Sequence, residues 1–242
     1  MKPRPFAGLF FIAYLHSMNT DLEFLLKKYN HTFHPVVKTP PKKNKIHHFD
    51  FTVTNTDITE ELIADTGNFS KWVSAQLQSA DSMFGVGGYN EDRMLYKRSK
   101  LFGGKEQRSL HLGVDIWGPE GTPVHAPLGG MVHSYAYNNN FGDYGATIIL
   151  QHNLDITSFY TLYGHLSLAD LAKIRKGKFI TRGEIFGHFG PPAENGDWPP
   201  HLHFQVIKDI GFYEGDYPGV CDPAAAVKFL KNSPDPKMML VF

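Results

Sequence analysis

The sequence predicts a mainly β protein, with an antiparallel sheet folded as a barrel or sandwich behind a small N-terminal α+β region. From about residue 96 onward, short runs rich in β-branched and aromatic residues are separated by glycine and proline. Several such runs joined by turns are typical of antiparallel β domains. The runs are GTPVHAPLGGMVHSYAY, GATIILQHNL, TSFYTLYGHLS, GKFITRGEIFGHFG and HLHFQVI. Because 42% of the 242 residues are hydrophobic, the chain can bury a large core.

Residues 18–95 are predicted to form the α+β region, whose role the sequence does not indicate. A helix is expected over residues 20–29, with Thr20 or Asp21 as its N-cap. Three leucines lie on its apolar face: Leu22, Leu25 and Leu26. A strand is expected in HHFDFTVTN, where apolar residues alternate with polar ones. The apolar residues of that strand are Phe49, Phe51 and Val53.

Three further helices and a tail complete the prediction. Asp57 and Glu60 have the spacing of a capping box for a helix that runs through Ala64. In NFSKWVSAQLQSA, apolar residues recur on one helical face. They are Phe69, Trp72, Val73 and Leu77. SLADLAKIRKG is the one helical insertion expected among the later strands, and residues 223–242 form a C-terminal tail.

Charge and cysteine content exclude several function classes. Lys+Arg and Asp+Glu both number 24, and no basic stripe suits a phosphate backbone, so nucleic acid is not an expected partner. Cys221 is the one cysteine, which excludes an intrachain disulfide and a zinc site built mainly on thiolates. A metal site in this chain must therefore use histidine and carboxylate ligands.

Residues 1–17 are predicted to be a leader or an N-terminal extension. Lys2 and Arg4 precede FAGLFFIAYL, an apolar run too short to span a bilayer but similar to the apolar part of a signal peptide. No A-x-A cleavage site follows, and Met18 is an alternative start of the folded protein. Two locations stay open: the cell envelope or exterior if this segment is a signal peptide, and the cytoplasm if it is not.

PPHLHFQVI places two histidines one residue apart in a predicted strand. Side chains alternate between the faces of a strand, so His201, His203 and Gln205 share one face. The opposite face is apolar, with Leu202, Phe204 and Val206.

HLGVDIW contains a second candidate group. A straight strand would hold His111 and Asp115 about 13 Å apart, at ~3.3 Å per residue. Gly113 permits a bend that brings the two side chains onto one ion. A catalytic zinc site needs three such ligands and an open position. His111, Asp115 and either His201 or His203 can supply them, and the remaining histidine of the pair can serve as a general base.

Other histidines have a simpler interpretation. His165 follows Gly164 at the end of a predicted strand, where a hydrogen-bonded structural role is the usual one. Surface or hydrogen-bonded positions are also expected for His47, His48, His125, His133, His152 and His188.

The order HLGVD, YGHLS and HLHFQ, with GTPVHAPLGGMV after the first, resembles the lysostaphin-like (LytM-type) zinc metallopeptidases, many of which cut peptide bonds in peptidoglycan. The resemblance covers residues 98–210 and implies a β-sheet groove with the metal on its floor, in a domain at residues 96–222. It also implies one zinc per chain and hydrolysis by a zinc-activated water. By this resemblance, the ligands are His111, Asp115 and His203, and the assisting histidines are His165 and His201.

The same resemblance implies a peptide substrate, with peptidoglycan cross-links as the leading candidate. Some members carry a transition-state tyrosine shortly before the first ligand, where FGGKEQRSL here offers Arg108 instead. Further residues of the kinds that line substrate clefts are Tyr89, Asn90, Arg93, Asn139, Asp143 and Trp198. Asn90 is also a candidate plug for the zinc, as in latent members of the family.

Two alternative functions remain compatible with the sequence. One is a cytoplasmic zinc amidohydrolase with a substrate other than peptidoglycan, since similar domains occur fused to phosphotransferase and aminotransferase modules. The other is a non-catalytic envelope scaffold or regulator, which need not bind zinc.

Overall fold

One eight-stranded sheet runs through the part of the chain that the computed structural model describes, residues 21–39, 45–103 and 107–241. The predicted leader, Met18 and the candidate helix cap Thr20 lie outside these ranges. The strands in chain order are β1 (Ile46–Phe49), β2 (Phe84–Gly87), β3 (Leu110–His111), β4 (Val114–Trp117), β5 (Pro123–His125), β6 (Gly130–Asn138), β7 (Gly145–Leu154), β8 (Thr157–Leu166), β9 (Phe179–Ile180), β10 (Ile185–His188), β11 (His201–Ile207) and β12 (Val220–Cys221).

The strand order of the large sheet is β1-β2-β4-β11-β8-β7-β6-β9. Every neighbouring pair is antiparallel except β1 with β2. Two smaller antiparallel sheets pair β5 with β10 and β3 with β12. The mainly β prediction is therefore confirmed. Within the described ranges the large sheet stays open between its edges β1 and β9, and it does not close into a barrel.

β11 lies near the centre of this sheet, between β4 and β8, and all seven of its residues are buried. Its apolar face packs into the main hydrophobic core through Leu202, Phe204 and Val206. The alternation of the strand turns the polar residues to the opposite face, as predicted. A buried strand thus presents two histidines and a glutamine on the face that does not pack into the main core.

The helices are shorter elements around the sheet. They are α1 (Leu22–Tyr29), α2 (Glu60–Ala64), α3 (Thr66–Ser79), α4 (Leu168–Leu171) and α5 (Ala226–Asn232). Short 3₁₀ turns occupy Asn30–Thr32, Met94–Arg98, Lys100–Phe102, Pro223–Ala225 and Pro236–Met238. α1 begins as predicted, because the Asp21 carboxylate accepts a hydrogen bond from the Glu23 amide, and its three leucines are buried.

Three local predictions were wrong in their bounds. β1 ends at Phe49 because the Asp50 side chain accepts from the Thr52 amide and turns the chain, which leaves Val53 exposed. The N-cap of α2 is Thr59, whose hydroxyl accepts from the Leu62 amide, and not Asp57. The predicted insertion helix SLADLAKIRKG contains only the four-residue α4.

The N-terminal region is continuous with the rest of the sheet. β2 pairs with β4, so β1 and β2, which precede residue 95, belong to the same sheet as the strands that follow it. α1 packs into the main core, and α2 and α3 contribute to a second, aromatic-rich core together with residues of β1, β4 and β12. The domain division at residue 95 stays a prediction, but the packing on either side of it is shared.

The C-terminal segment also packs against this body. The side chain of Met239 is fully buried in the main core, and the Lys208 amide donates to the carbonyl oxygen of Asn232 at 2.8 Å. None of the helices in the described ranges combines the length and the apolar character that a bilayer-spanning helix requires.

Replacing Leu25 with alanine tests whether α1 supports the whole fold. Leu25 is fully buried in the main core, so we expect a loss of about 2–5 kcal/mol in the free energy of unfolding. Urea denaturation measures this loss. Phe24→Ala on the same helix is the control, because Phe24 is 41% exposed and should change stability by far less. Equal effects of the two substitutions would contradict the packing of α1 described above.

Candidate active site

The bend at Gly113 separates two short strands. β3 ends at His111, β4 begins at Val114, and the two strands pair with different partners. His111 and Asp115 thereby converge, with Nε2 of the histidine 3.3 Å from Oδ1 of the aspartate. A Cβ atom at Gly113 would lie 2.5 Å from Cε1 of His203. Glycine is therefore needed here for the close approach of this imidazole.

His203 reaches the same point from β11, where it lies directly opposite Asp115 in the antiparallel pairing. Its Nδ1 is 3.1 Å from Oδ1 of Asp115 and 3.0 Å from Nε2 of His111. All three side chains are buried. Within the described ranges, this is the one group of three or more His, Cys, Asp or Glu residues whose ligand atoms lie within 4.8 Å of one another.

A backbone carbonyl fixes the tautomer of His111. Nδ1 of this histidine lies 2.9 Å from the carbonyl oxygen of Gly88, which can only accept a hydrogen bond. Nδ1 is therefore the protonated nitrogen, and Nε2 turns a lone pair toward Asp115 and His203.

A glutamine fixes the tautomer of His203 in the same way. Nε2 of Gln205 donates to the carbonyl oxygen of Pro218 at 3.2 Å and to Oγ of Ser233 at 3.0 Å. The other end of the amide, Oε1, therefore accepts from Nε2 of His203 at 3.1 Å. This leaves a lone pair on Nδ1 of His203, which points at Nε2 of His111 and Oδ1 of Asp115.

The three convergent atoms suit a metal ion. Zinc holds nitrogen and oxygen ligands at about 2.0–2.1 Å in a tetrahedron, which places ligand atoms about 3.3 Å apart. The observed separations are 3.0, 3.1 and 3.3 Å. Three lone pairs that face one another repel unless a cation lies between them. The donor set and its spacing therefore fit zinc with one coordination position left over.

The charge states at neutral pH also fit a cation. Burial and the nearby Arg93 lower the pKa of His111 to about 4, so this imidazole is neutral. Burial alone would raise the pKa of Asp115, but His111 and Arg93 hold that pKa well below its usual range. His111 and Asp115 thus present a neutral nitrogen and an anionic oxygen.

Arg93 was predicted to contact substrate, and the structure places it behind Asp115. Its side chain is buried, and Nη1 donates to Oδ2 of Asp115 at 2.5 Å. Nε donates to Glu91 at 2.8 Å and Nη2 donates to the carbonyl oxygen of Gly88 at 3.0 Å. Arg93 therefore belongs to the support of the candidate ligands.

His165 and His201 lie beside the candidate ligands with their rings 4.1 Å apart. Nδ1 of His201 donates to the carbonyl oxygen of Pro199 at 2.8 Å, and Nδ1 of His165 donates to that of Asn195 at 2.7 Å. Each ring therefore carries its lone pair on Nε2, for which the described residues offer no hydrogen-bond partner. His201 also stacks on the indole of Trp117, with ring centroids 4.0 Å apart.

Burial keeps both histidines neutral. It lowers the pKa of His201 to about 4. Burial and the neighbouring His201 hold the pKa of His165 well below its usual range. The backbone of His165 has a φ of +63°, which an L-residue adopts at a cost of about 1–3 kcal/mol. This conformation turns the side chain at the end of β8 toward the candidate ligands.

These residues line a cavity of about 290 Å³. One wall includes Leu95, Tyr96, Leu101, Phe102 and Arg108, and further parts of the lining come from residues 142–144, Tyr213 and residues 216–220. Ser99 joins the first wall to the loop before 142, since its hydroxyl donates to the carbonyl oxygen of Phe141 at 2.6 Å. Predicted site residues on the lining are Arg93, Arg108, Asp115, Asp143, His165, Trp198, His201 and His203.

The remaining predicted substrate residues lie elsewhere. Tyr89 donates from its hydroxyl to the carbonyl oxygen of Ser233 at 2.6 Å and is absent from the cavity lining. Asn90 and Asn139 are exposed and are also absent from the lining. The amide of Asn90 does contact the candidate ligands, because it donates to the carbonyl oxygen of His111 at 2.9 Å.

The chain is similar in sequence to known peptidases over this region. Residues 109–214 match the profile of peptidase family M23. An L-Ala–D-Glu endopeptidase of Bacillus subtilis is 34% identical over 131 residues, which are 52% of this chain and 37% of the relative. The chain carries a peptidase family M23 domain. This M23 domain is of the metallopeptidase class, which is a class of hydrolases.

Two other relatives match a similar share of the chain. The DD-carboxypeptidase/endopeptidase Mpg of Neisseria meningitidis is 30% identical over 126 residues, 50% of this chain and 26% of the relative. The peptidoglycan DD-endopeptidase ShyC of Vibrio cholerae is 28% identical over 101 residues, 42% of this chain and 21% of the relative. The chain thus spans well under half the length of each of these relatives.

Several residues around the M23 site were not identified from the sequence. Gly88, Glu91 and Ser233 support the candidate ligands from outside residues 109–214. Gly88 and Glu91 each accept a hydrogen bond from His111 through a backbone carbonyl, and Ser233 contacts Gln205 from a distant part of the chain; no motif signals either kind of contact. Gln205 was placed on the histidine face by strand alternation, which was the one available signal for its contact with His203.

Replacing Gly113 with alanine tests the close approach of His203. The new methyl group would lie 2.5 Å from Cε1 and 2.6 Å from Nε2 of that imidazole, so the ring must shift from its position beside Asp115. We expect weaker metal binding, measured as metal retained per chain after dialysis. Gly103→Ala is the control, because its methyl group would have no heavy atom closer than 3.7 Å. Unchanged metal retention in Gly113→Ala would contradict the geometry of the site.

Proposed function

We propose that this chain is a zinc-dependent metallopeptidase that hydrolyses amide bonds in the peptide cross-links of peptidoglycan. The observation that carries the proposal is the convergence of three lone pairs beside two histidines whose Nε2 atoms are free. His111, Asp115 and His203 are the proposed zinc ligands, one zinc per chain. His165 and His201 are the proposed catalytic histidines.

The proposed ligands leave room for reaction chemistry. Three protein ligands and one open position are the arrangement of catalytic zinc sites, whereas structural sites are closed by four. Zinc bound there supplies Lewis acidity and lowers the pKa of a bound water to about 7. The protein side chains do the rest, since they hold the substrate, exclude bulk water and move protons.

His201 and His165 are suited to proton transfer as a pair. Both are neutral with a lone pair on Nε2, so either can accept a proton at neutral pH. Their rings are 4.1 Å apart, and two positive charges at that distance in a buried site repel strongly. The pair therefore holds one proton at a time. One histidine would accept on Nε2 the proton of the water that attacks the carbonyl, and it would give that proton to the amine nitrogen that leaves when the C–N bond breaks. The neutral partner stays available to orient the reacting groups.

The backbone carbonyls of Pro199 and Asn195 orient the rings of His201 and His165. Each accepts a hydrogen bond from Nδ1, and the same bond stabilises the imidazolium that forms when Nε2 gains a proton. Asn195 is itself held, because its side-chain amide donates to the carbonyl oxygens of Gly190 and Trp198 at 3.0 Å. The proton acceptor is thereby oriented before substrate arrives.

The substrate proposal rests on the names of the relatives and on the cavity. Two relatives are named for L-Ala–D-Glu and DD bonds, and a third is named for peptidoglycan. The cavity lining combines aromatic side chains with Arg108, Asp143 and Asp216, which suits a peptide that carries charged groups. The alternatives of another amide substrate and of a scaffold without zinc are outcomes of the tests below.

Separate replacements of His203 and His201 distinguish a ligand from a proton carrier. His203→Ala should lose most of the zinc, about one per chain in the wild type, because it removes one of three ligands. His201→Ala should keep the zinc and lose hydrolysis by about 10²–10⁴-fold. Zinc is measured by plasma mass spectrometry, and hydrolysis by chromatography of cross-linked muropeptides.

His188→Ala is the matched control for these variants. Its Nδ1 contacts Asp170 at 3.1 Å, and it does not line the cavity, so zinc content and hydrolysis should both persist. Full activity of either His201→Ala or His203→Ala would defeat the assignment. No zinc in the wild type, even after reconstitution, would favour the scaffold.

Metal removal tests the substrate class together with the metal. Dialysis against a chelator should abolish cleavage of muropeptides, and one equivalent of zinc should restore it. Mass spectrometry of the products then identifies the bond. Cleavage by the metal-free protein would contradict the zinc proposal. Zinc-dependent cleavage of other peptides, with every muropeptide left intact, would retain the peptidase and reject peptidoglycan as its substrate.

A further inference from the structure

Residues 88–93 form a loop that precedes the M23 match and contacts two of the proposed ligands. The amide of Asn90 donates to the carbonyl oxygen of His111, and the amide of His111 donates to that of Glu91, both at 2.9 Å. The Gly88 carbonyl accepts from Nδ1 of His111 at 2.9 Å. The loop therefore holds both the backbone and the side chain of His111.

Arg93, at the end of this loop, holds the other ligand of the HLGVD motif. Its guanidinium contacts Oδ2 of Asp115, Oε2 of Glu91 and the carbonyl oxygen of Gly88. The side chain is 1% exposed, and its charge is paired with the carboxylates of Glu91 and Asp115. Its pKa is raised by Asp115 against the effect of burial, so the guanidinium stays charged.

The two oxygens of Asp115 have different partners. Oδ1 faces His111 and His203 at 3.3 and 3.1 Å, and Oδ2 faces Nη1 of Arg93 at 2.5 Å. A carboxylate can bind a metal through one oxygen or through both, and the second oxygen occupies a further coordination position. An oxygen that is tied to a guanidinium is not available to the metal.

We propose that Arg93 is a positioning residue that restricts Asp115 to binding the metal through Oδ1 alone. The inference rests on the proposed function, in which Asp115 is a zinc ligand. By occupying Oδ2, Arg93 keeps one coordination position open for the reacting groups. Through Gly88, the same guanidinium is linked to His111, so one side chain sets the orientation of two ligands.

Arginine suits this role better than lysine does. The planar guanidinium offers five donors in a rigid fork, which here reach two carboxylates and a carbonyl at once. A lysine ammonium keeps the charge but presents three donors at one point. Arg93→Lys should therefore preserve the charge balance while losing part of the orientation.

Arg93→Met tests the proposal with two readouts that do not depend on hydrolysis. Zinc affinity, measured by competition with a chromophoric chelator, should fall by about 10–100-fold, as for other residues that orient metal ligands. In the cobalt-substituted protein, the visible absorption should weaken, because five-coordinate cobalt absorbs less than tetrahedral cobalt. Arg93→Lys should recover part of both signals.

Arg98→Met is the matched control. Arg98 is also a buried arginine, but it contacts Thr66 and the rings of Phe141 and Trp198, and it touches no proposed ligand. Its loss should leave zinc affinity and the cobalt spectrum unchanged. A wild-type affinity and spectrum in Arg93→Met would overturn the inference.

A second variant covers the case in which Arg93→Met does not fold. Arg93→Met combined with Glu91→Gln removes one carboxylate together with the arginine, so fewer buried charges are left unpaired. The visible absorption of the cobalt-substituted double variant should weaken in the same way. An unchanged cobalt spectrum in the double variant overturns the inference. If the wild type binds no zinc, the proposed function fails. If the wild type binds zinc and cleaves muropeptides while the Arg93 variants match it, only this inference fails.

Discussion

The repulsion between three lone pairs is the constraint around which this site is arranged. His111, Asp115 and His203 point unprotonated atoms at one another from 3.0 to 3.3 Å, inside a buried region where such repulsion is poorly screened. Other contacts must hold each group in place when no cation is bound. The Gly88 carbonyl, the Arg93 guanidinium and the Gln205 amide supply those contacts. Each proposed ligand is thereby fixed through the polar atom that faces away from the other two.

Several residues that hold the proposed ligands in place come from other parts of the chain than the ligands themselves. The proposed ligands fall within residues 109–214, which match the M23 profile, whereas Gly88 and Arg93 precede this range and Ser233 follows it. β1 and β2 continue the catalytic sheet, and Met239 enters its core. The flanking segments therefore support the proposed metal ligands directly, and a fragment limited to the matched range would lack these contacts.

Features with a local physical cause could be predicted from the sequence. The two faces of β11 follow from the two-residue period of a strand, which places His201 and His203 together whatever the strand packs against. The start of α1 directly after Asp21 follows from a local contact, because the carboxylate of this cap accepts a hydrogen bond from the amide two residues later. The cap of α2 was wrong by two residues, because Thr59 and Asp57 are both acceptable caps and the turn before the helix decides between them.

Features that depend on distant contacts could not be predicted. Gly113 indicated a bend, but its close contact is with an imidazole 90 residues later, and this contact exists only because β4 and β11 are neighbours. Arg93 lies in a turn-rich stretch and was assigned to substrate; the β2–β4 pairing buries it behind Asp115. A single sequence contains the residues of such contacts without showing which of them meet.

At His165, the residue type that best suits the left-handed backbone differs from the one that can transfer a proton. Glycine would adopt a φ of +63° without strain, and asparagine with little, so either would suit the end of β8 better than histidine does. Neither has a basic nitrogen to place beside His201. The most stable sequence for this backbone and the sequence able to move a proton there are consequently different, and a search for thermostable variants guided by backbone preference alone would select against the proposed active residue.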